Sequence, residues 1–291
     1  MTTQETDGHG PEAPGGRPGT SGPGIFQHCS ADQFGINSQP SFSRILGQVL
    51  QSMMRVAQEY IKFPQTTEEI QSYKEAFYNI AGMPNVLGII DCTHAALIPP
   101  ARSERAYRNR KLYQSINVQI VVGPYLNIID VVPNYPGSCH DAFILRNTEL
   151  YARFQHGVYG DSCLLGDNGY RLSRWLLTPY LNPRTREEER FNRAHKRTRA
   201  MIEYTFGLLK SRCRCLDITG GALKYKPQTV CKIIIACCML HNIAQNNNIP
   251  AEFAQDLREE IGATVETQEV KQDSQAVRQH ITAHSLQISC V

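Results

Sequence analysis

Val86-Leu87-Gly88-Ile89-Ile90-Asp91-Cys92-Thr93-His94 is the stretch on which the reading of this chain turns. Its apolar run reads as a strand, and an acid, Asp91, follows directly. Two other acids have comparable settings. Asp167 follows Leu164-Leu165-Gly166, and Glu203 lies in the helix-like stretch from Arg199 to Lys210. Two strand ends and one helix can converge on a single point. Clustered carboxylates repel one another, so such a grouping implies a divalent cation that neutralises it.

Working outward from that strand, Ile116 to Val122 and Leu126 to Val132 are two more apolar runs, and the break at Gly123-Pro124-Tyr125 makes them a hairpin. Pro136 to Asp141 reads as a loop feeding a helix whose first turn carries Asp141, and Cys163 to Leu165 reads as a fourth strand. Trp175 to Pro183 reads as irregular. Glu187 to about Cys213 predicts a long charged helix, and Thr229 to Ile243 an apolar one. Upstream, Ile45, Leu46, Val49, Leu50, Met53, Val56 and Ala57 recur at helical spacing, with Ser38 as the expected N-cap. Thr66 and Glu69 have capping-box spacing ahead of a second helix. Three strands, a helix, a strand and further helices suit an α/β domain with helices covering a mixed sheet.

The 291 residues suffice for one large domain with a small appendage. Residues 1–24 hold seven Gly and four Pro and are expected to be a disordered tail. Residues 25–82 form an N-terminal helical region, 83–250 the main domain, and 251–291 a polar, flexible tail. Net charge is only +3, yet residues 184–214 carry ten Lys or Arg against four Glu, a local +6. That stripe points to a polyanion, although a solvated helix face would look the same. Ten cysteines are scattered through apolar contexts, which predicts reduced, buried thiols rather than a disulfide framework. No apolar run comes near the ~18 residues of a membrane span, so no membrane contact and a cytosolic or nuclear location are expected.

Several ordered motifs carry a resemblance. They are Gly88-Ile-Ile-Asp91-Cys-Thr-His94, Asn117-Val-Gln119, Pro136-Gly-Ser-Cys-His-Asp141, Leu165-Gly-Asp-Asn-Gly-Tyr170, Ile202-Glu-Tyr-Thr-Phe-Gly207 and Met239-Leu-His-Asn242, with 35 residues between Asp167 and Glu203. Over roughly residues 30–250 the chain resembles the PIF/Harbinger superfamily of DDE transposases, including the vertebrate Harbinger transposase-derived nucleases. The resemblance implies an RNase H-like core in which Asp91, Asp167 and Glu203 match the family's metal-binding acids. Mg²⁺ or Mn²⁺ would be the cofactor, and phosphodiester hydrolysis in DNA the reaction. Asp141 also matches an acidic position, though its place at a helix start favours capping over metal contact.

Arg190, Arg193, Lys196, Arg197 and Arg199 precede Glu203 on one helix and would hold the DNA backbone, while Met201, Ile202, Phe206 and Leu209 anchor the opposite face. His94 and His140 flank acids, but a structural role is favoured for each. Cys237, Cys238 and His241 tempt a zinc reading, which their apolar neighbours disfavour. Phe34 to Arg44 resembles the turn and second helix of the family's helix-turn-helix element, without its first helix. The resemblance therefore implies a separate Myb-like DNA-binding partner and a protein of nucleus and cytoplasm that no longer transposes on its own. The alternative is a catalytically silent, DNA-associated adaptor that works by binding the Myb-like partner.

Overall fold

In a computed structural model the described residues run from 38 to 251. The 1–24 tail, all but the first residue of the 251–291 stretch and the first part of the helix-turn-helix-like segment lie outside them. The chain divides into two compact units, residues 1–48 and residues 49–291. Of the first unit, the described part is the opening of helix α1 (Gln39–Tyr60), where the Ser38 hydroxyl accepts a hydrogen bond from the Ser41 amide in the expected capping manner.

The second unit contains the rest of α1, then α2 (Thr67–Ala81), whose Thr66 and Glu69 form the capping box the sequence predicts. Strands β1 (Val86–Ala96), β2 (Ser115–Val122) and β3 (Ile128–Pro136) follow, with a one-turn helix α3 (Glu104–Tyr107) between the first two. Helices α4 (Asp141–Arg146) and α5 (Glu149–Gln155) lead to β4 (Cys163–Leu165) and β5 (Leu176–Leu177). The long helix α6 (Arg186–Arg212) and α7 (Pro227–Asn246) complete the domain. Thr185 and Glu188 form a second capping box at the start of α6, and three consecutive Glu in its first turn complement the helix dipole.

The sheet order is β3-β2-β1-β4-β5. Strands β1, β2 and β3 pair antiparallel, whereas β4 and β5 add in parallel beyond β1. This mixed five-stranded sheet flanked by helices is the α/β, RNase H-like arrangement expected of the chain. Two expectations need correction. Trp175 to Pro183 is not wholly irregular, because Leu176 and Leu177 form the edge strand β5; two residues display no periodicity to read. Asp91 does not end its strand either. It lies in the middle of β1, opposite Ile120, and the shorter β4 ends beside it.

Side chains alternate across a strand, so Asp91 and Cys92 face opposite layers. On the Cys92 side, Leu145 of α4 and Leu150 and Phe154 of α5 join Ile90, Val121, Leu164 and Leu176 in one core. Trp175 stacks on Phe154 at 5.0 Å between ring centroids and so pins β5 to that core. On the Asp91 side, α6 packs against β1 and β2 and α7 against β3. At 20 residues α7 is long and apolar enough to cross a membrane by length and composition, contrary to the sequence expectation. Its burial against β3 and its bonds to Ile128 mark it as a core helix instead.

One buried charge opposes this fold. Asp130 on β3 has its Oδ2 enclosed without a hydrogen-bond partner. Burial, and next the carboxylate of Glu149, push its carboxyl up to about 6. The folded state thus holds this proton more tightly than the unfolded chain, whose Asp titrates near ~3.9. Ionisation costs stability fully above pH 6, and the cost fades as pH falls toward 4. Asp130→Asn is expected to stabilise the protein by about 1–3 kcal/mol at pH 8 and to match the parent below about pH 4, in denaturant melts at the two pH values.

Candidate active site

The register of the parallel pair positions two of the three acids. Leu165 pairs with Ile89, so Asp167, two residues past Leu165, comes level with Asp91, two residues past Ile89. The turn after β4 then folds back. Asp167 Oδ1 accepts from the Gly169 amide at 2.9 Å, and the Asp167 carbonyl accepts from the Tyr170 amide at 3.2 Å. Tyr170 is buried, with its hydroxyl 3.5 Å from Cys92 Sγ. The Leu165–Tyr170 motif is thus a tyrosine-anchored turn that presents Asp167.

Asp141 is brought to the same place from the other side of the strand. It is the first residue of α4 rather than its cap, which is His140, and this corrects the capping expectation. Its Oδ1 accepts from Asn117 Nδ2 at 2.9 Å, and the same amide group donates to the Cys139 carbonyl at 2.9 Å. A side-chain carbon built on Gly169 would sit 3.0 Å from Asp167 Oδ1 and 3.7 Å from Asp141 Oδ2, so both carboxylates border one point and glycine keeps it open. Gly137 of the same loop is required more strictly. A carbon there would lie 2.3 Å from Ser115 Oγ and 2.6 Å from the Tyr107 carbonyl.

Asp91 feels both neighbours. Burial pushes its carboxyl up to about 6; Arg199 and the Cys92 amide pull it down, while Asp167 and Asp141 push it up further. Arg199 Nη2 donates to Asp91 Oδ2 at 2.5 Å, and the Cys92 amide donates to Oδ1 at 2.7 Å. Helix α6 is held in place for this contact by His195, one turn before Arg199, whose Nε2 lies 3.3 Å from the Leu177 carbonyl. Burial pushes the His195 imidazole down to about 4, so it packs as a neutral ring. Glu203 is exposed and four residues past Arg199, on the same face and about 6 Å further along the axis. Among the described residues no three His, Cys, Asp or Glu side chains are close enough to cage an ion.

The basic residues of α6 divide. Arg193, Lys196 and Arg197 are exposed, with Arg193 4.0 Å from Glu189, and Arg190 is partly buried. Arg199 points inward to Asp91 and is not an open phosphate contact. On the anchoring face Ile202 and Leu209 are buried, whereas Met201 and Phe206 are only partly so.

His94 and His140 have structural partners. His94 Nδ1 meets Ser115 Oγ at 2.9 Å, and His140 Nδ1 meets Arg110 Nη2 at 2.8 Å. His241 is buried between the Leu126 carbonyl and Arg212, as a core residue rather than a metal ligand. Sequence reasoning assigned Arg199 to the DNA backbone, quoted Asn117 only within a motif, and passed over Arg110 and Lys111. Arg199 as partner of Asp91 left no signal, because its register on α6 is set by packing. Asn117 did leave one, a polar residue among the buried side chains of β2. Arg110 and Lys111 form part of a short basic run, and with Lys210 they depress His94, whose main influence is burial.

The comparisons with known proteins give the family. Residues 90–242 match the family model described as DDE superfamily endonuclease. The chain is 42% identical over 221 residues to the human protein named "Putative nuclease HARBI1", covering 76% of this chain and 63% of the human one. The Xenopus laevis protein of that name is 34% identical, over 83% of this chain and 67% of its own length. "Protein ALP1-like" of Arabidopsis thaliana is 31% identical, over 73% of this chain and 55% of its own length. The chain thus spans less than two thirds of the human relative. No solved structure gives a significant match. With residues 90–242 matching the family model and this identity across most of its length, the chain belongs to the DDE superfamily of endonucleases, among its Harbinger transposase-derived members.

Proposed function

We propose that this protein is a transposase-derived nuclease that hydrolyses DNA phosphodiester bonds with a divalent metal and does not transpose autonomously. Asp91, Asp167 and Glu203 would hold Mg²⁺ or Mn²⁺, with Asp141 beside them. The observation that carries this reading is that Asp141 and Asp167 border one point at Gly169, and that the charges of both push the Asp91 carboxyl up. The donors fit a hard cation, being carboxylate oxygens throughout. The guanidinium on Asp91 shows that the pocket already accommodates positive charge. Bound there, such an ion would supply activation of the attacking oxygen and stabilisation of the leaving one.

The chain's own groups would do the rest. The Cys92 amide and Arg199 orient the Asp91 carboxylate, Asn117 orients that of Asp141, and the Asp167–Gly169 turn orients that of Asp167. Exposed Arg193, Lys196 and Arg197, about two to three turns before Glu203, would track the phosphate backbone, with Arg190 at the far end of the stripe. Replacing Arg193, Lys196 and Arg197 together by Gln is expected to weaken binding to all duplexes alike. The slope of log affinity against log salt should become shallower by up to about 3, read by fluorescence anisotropy over a salt series.

A Myb-like DNA-binding protein as partner, and residence in nucleus and cytoplasm, belong to the same reading and rest on family membership. One relative, 24% identical, is named Antagonist of Like Heterochromatin Protein 1, which is a statement about that Arabidopsis protein.

A second reading, a catalytically silent adaptor, draws support from the Asp91–Arg199 pair, which already neutralises one carboxylate. Nicking of supercoiled DNA separates the two. The nuclease reading expects nicking that needs Mg²⁺ or Mn²⁺, stops with chelator, and disappears in Asp167→Asn and Glu203→Gln proteins that still fold. Equal nicking by parent and variants would indicate contaminating activity, and absence of both nicking and Mn²⁺ binding would favour the adaptor.

A further inference from the structure

Away from the acids, three thiols meet at the C-terminal end of α6. Cys213 caps that helix, its amide donating to the Leu209 carbonyl. Cys215 lies in the 3₁₀ turn Arg214–Leu216, and Cys237 is midway along α7. Cys215 Sγ is 3.9 Å from Cys237 Sγ, and the Cys213 thiol also bonds Cys237. Cys213 and Cys215 are partly exposed, whereas Cys237 is buried. The adjacent Cys238, fully buried, is turned about 100° away around the helix.

The hydrogen bond from Cys237 favours a thiolate at Cys215, whose thiol is lowered to about 7, and Cys237 is correspondingly held protonated. Burial has the opposite effect elsewhere, pushing Cys163 up to about 12 and raising Cys231. The cluster therefore pairs a nucleophilic, reachable thiolate with a second thiol in contact, the arrangement that oxidation to a disulfide requires.

We propose that Cys215 and Cys237 are a covalent modification site at which a hydroperoxide forms an intramolecular disulfide joining the turn after α6 to α7. The Cys215 thiolate attacks one peroxide oxygen, the O–O bond breaks, and the other oxygen leaves, protonated, as water or an alcohol. The Cys237 sulfur then attacks the Cys215 sulfenic sulfur; its S–H proton and the departing hydroxyl leave as water. Two thiols are oxidised by two electrons and one hydroperoxide is reduced. Closing the gap from 3.9 Å to the ~2.05 Å bond takes about 2 Å of movement. Side-chain rotation at Cys215, in a three-residue turn, supplies it. This site is independent of the nuclease reading, although it tethers the helix that carries Arg199 and Glu203.

The test uses full-length reduced protein treated with about one equivalent of hydrogen peroxide, alkylated and digested with trypsin. Cleavage after Arg212 and Arg214 separates Cys213 from Cys215, so the bond can be assigned by mass. The expected result is a cross-link between the peptide beginning at Cys215 and the peptide beginning at Ile233, reversed by dithiothreitol. It should disappear in Cys215→Ser and Cys237→Ser and remain in Cys213→Ser and Cys238→Ser. In untreated protein Cys215 should alkylate at least about tenfold faster than Cys231 at pH 7. A Cys213 cross-link in the unmutated protein, or Cys215 recovered unlinked as a sulfinic acid, would overturn the proposal, and neither readout depends on whether a serine variant folds.

Discussion

Asp91→Asn is expected to lower metal-dependent DNA nicking by about 10³-fold while leaving the melting temperature nearly unchanged. Metal stabilisation of transition-state charge is worth several kcal/mol, and each ~1.4 kcal/mol is a factor of ten in rate. Asp91 is the acid on the central strand, level with Asp167 and electrostatically coupled to both Asp167 and Asp141. The amide keeps the size of the carboxylate, and its oxygen can still accept from the Cys92 amide or from Arg199. It removes the negative charge a hard cation needs. A charge-dependent loss should therefore appear in Mn²⁺ affinity as well as in rate. If nicking persists at the parent rate with Mn²⁺ binding intact, Asp91 is not a metal ligand and the centre lies elsewhere.

Asn242→Ala should be the most damaging single change to the fold, at about 3 kcal/mol or more, and should lower the melting temperature by roughly 10 °C. Asn242 is 2% exposed on α7. Its Oδ1 accepts from the Ile128 amide at 2.8 Å, and its Nδ2 donates to the Ile128 carbonyl at 2.7 Å and to the Tyr60 carbonyl at 2.8 Å. Ile128 opens β3 at a register shift, where strand pairing leaves its backbone groups to this side chain. Truncation strands a buried donor and a buried acceptor together, each costing about 1–3 kcal/mol. Asn242→Asp distinguishes this account from simple loss of packing. It retains the acceptor and the volume but loses the donor, so carboxylate faces carbonyls and the destabilisation should remain.

The Met239–Asn242 motif illustrates how unevenly the sequence could be read. Its residues carried the family resemblance, yet nothing in their order says that Asn242 joins α7 to β3, because that contact spans 114 residues. The capping box at Thr66 was legible for the opposite reason, since all the groups involved lie within four residues. β1, β2, β3 and the two long helices were legible from periodicity, whereas β5 and α5 were missed, one too short and the other a helix of only seven residues.

At the candidate site the same division holds. The identities of Asp91, Asp167 and Glu203, their order and their placement on strand, turn and helix are local properties that residue type and spacing specify. So is the basic character of α6. Three outcomes needed the folded chain: Asp141 joining the acids instead of capping its helix, Arg199 closing on Asp91 instead of facing DNA, and Cys215 meeting Cys237. Each depends on the register of one element against another, and that register is set by the packing of buried side chains such as Trp175, Phe154 and Ile202 rather than by any local pattern.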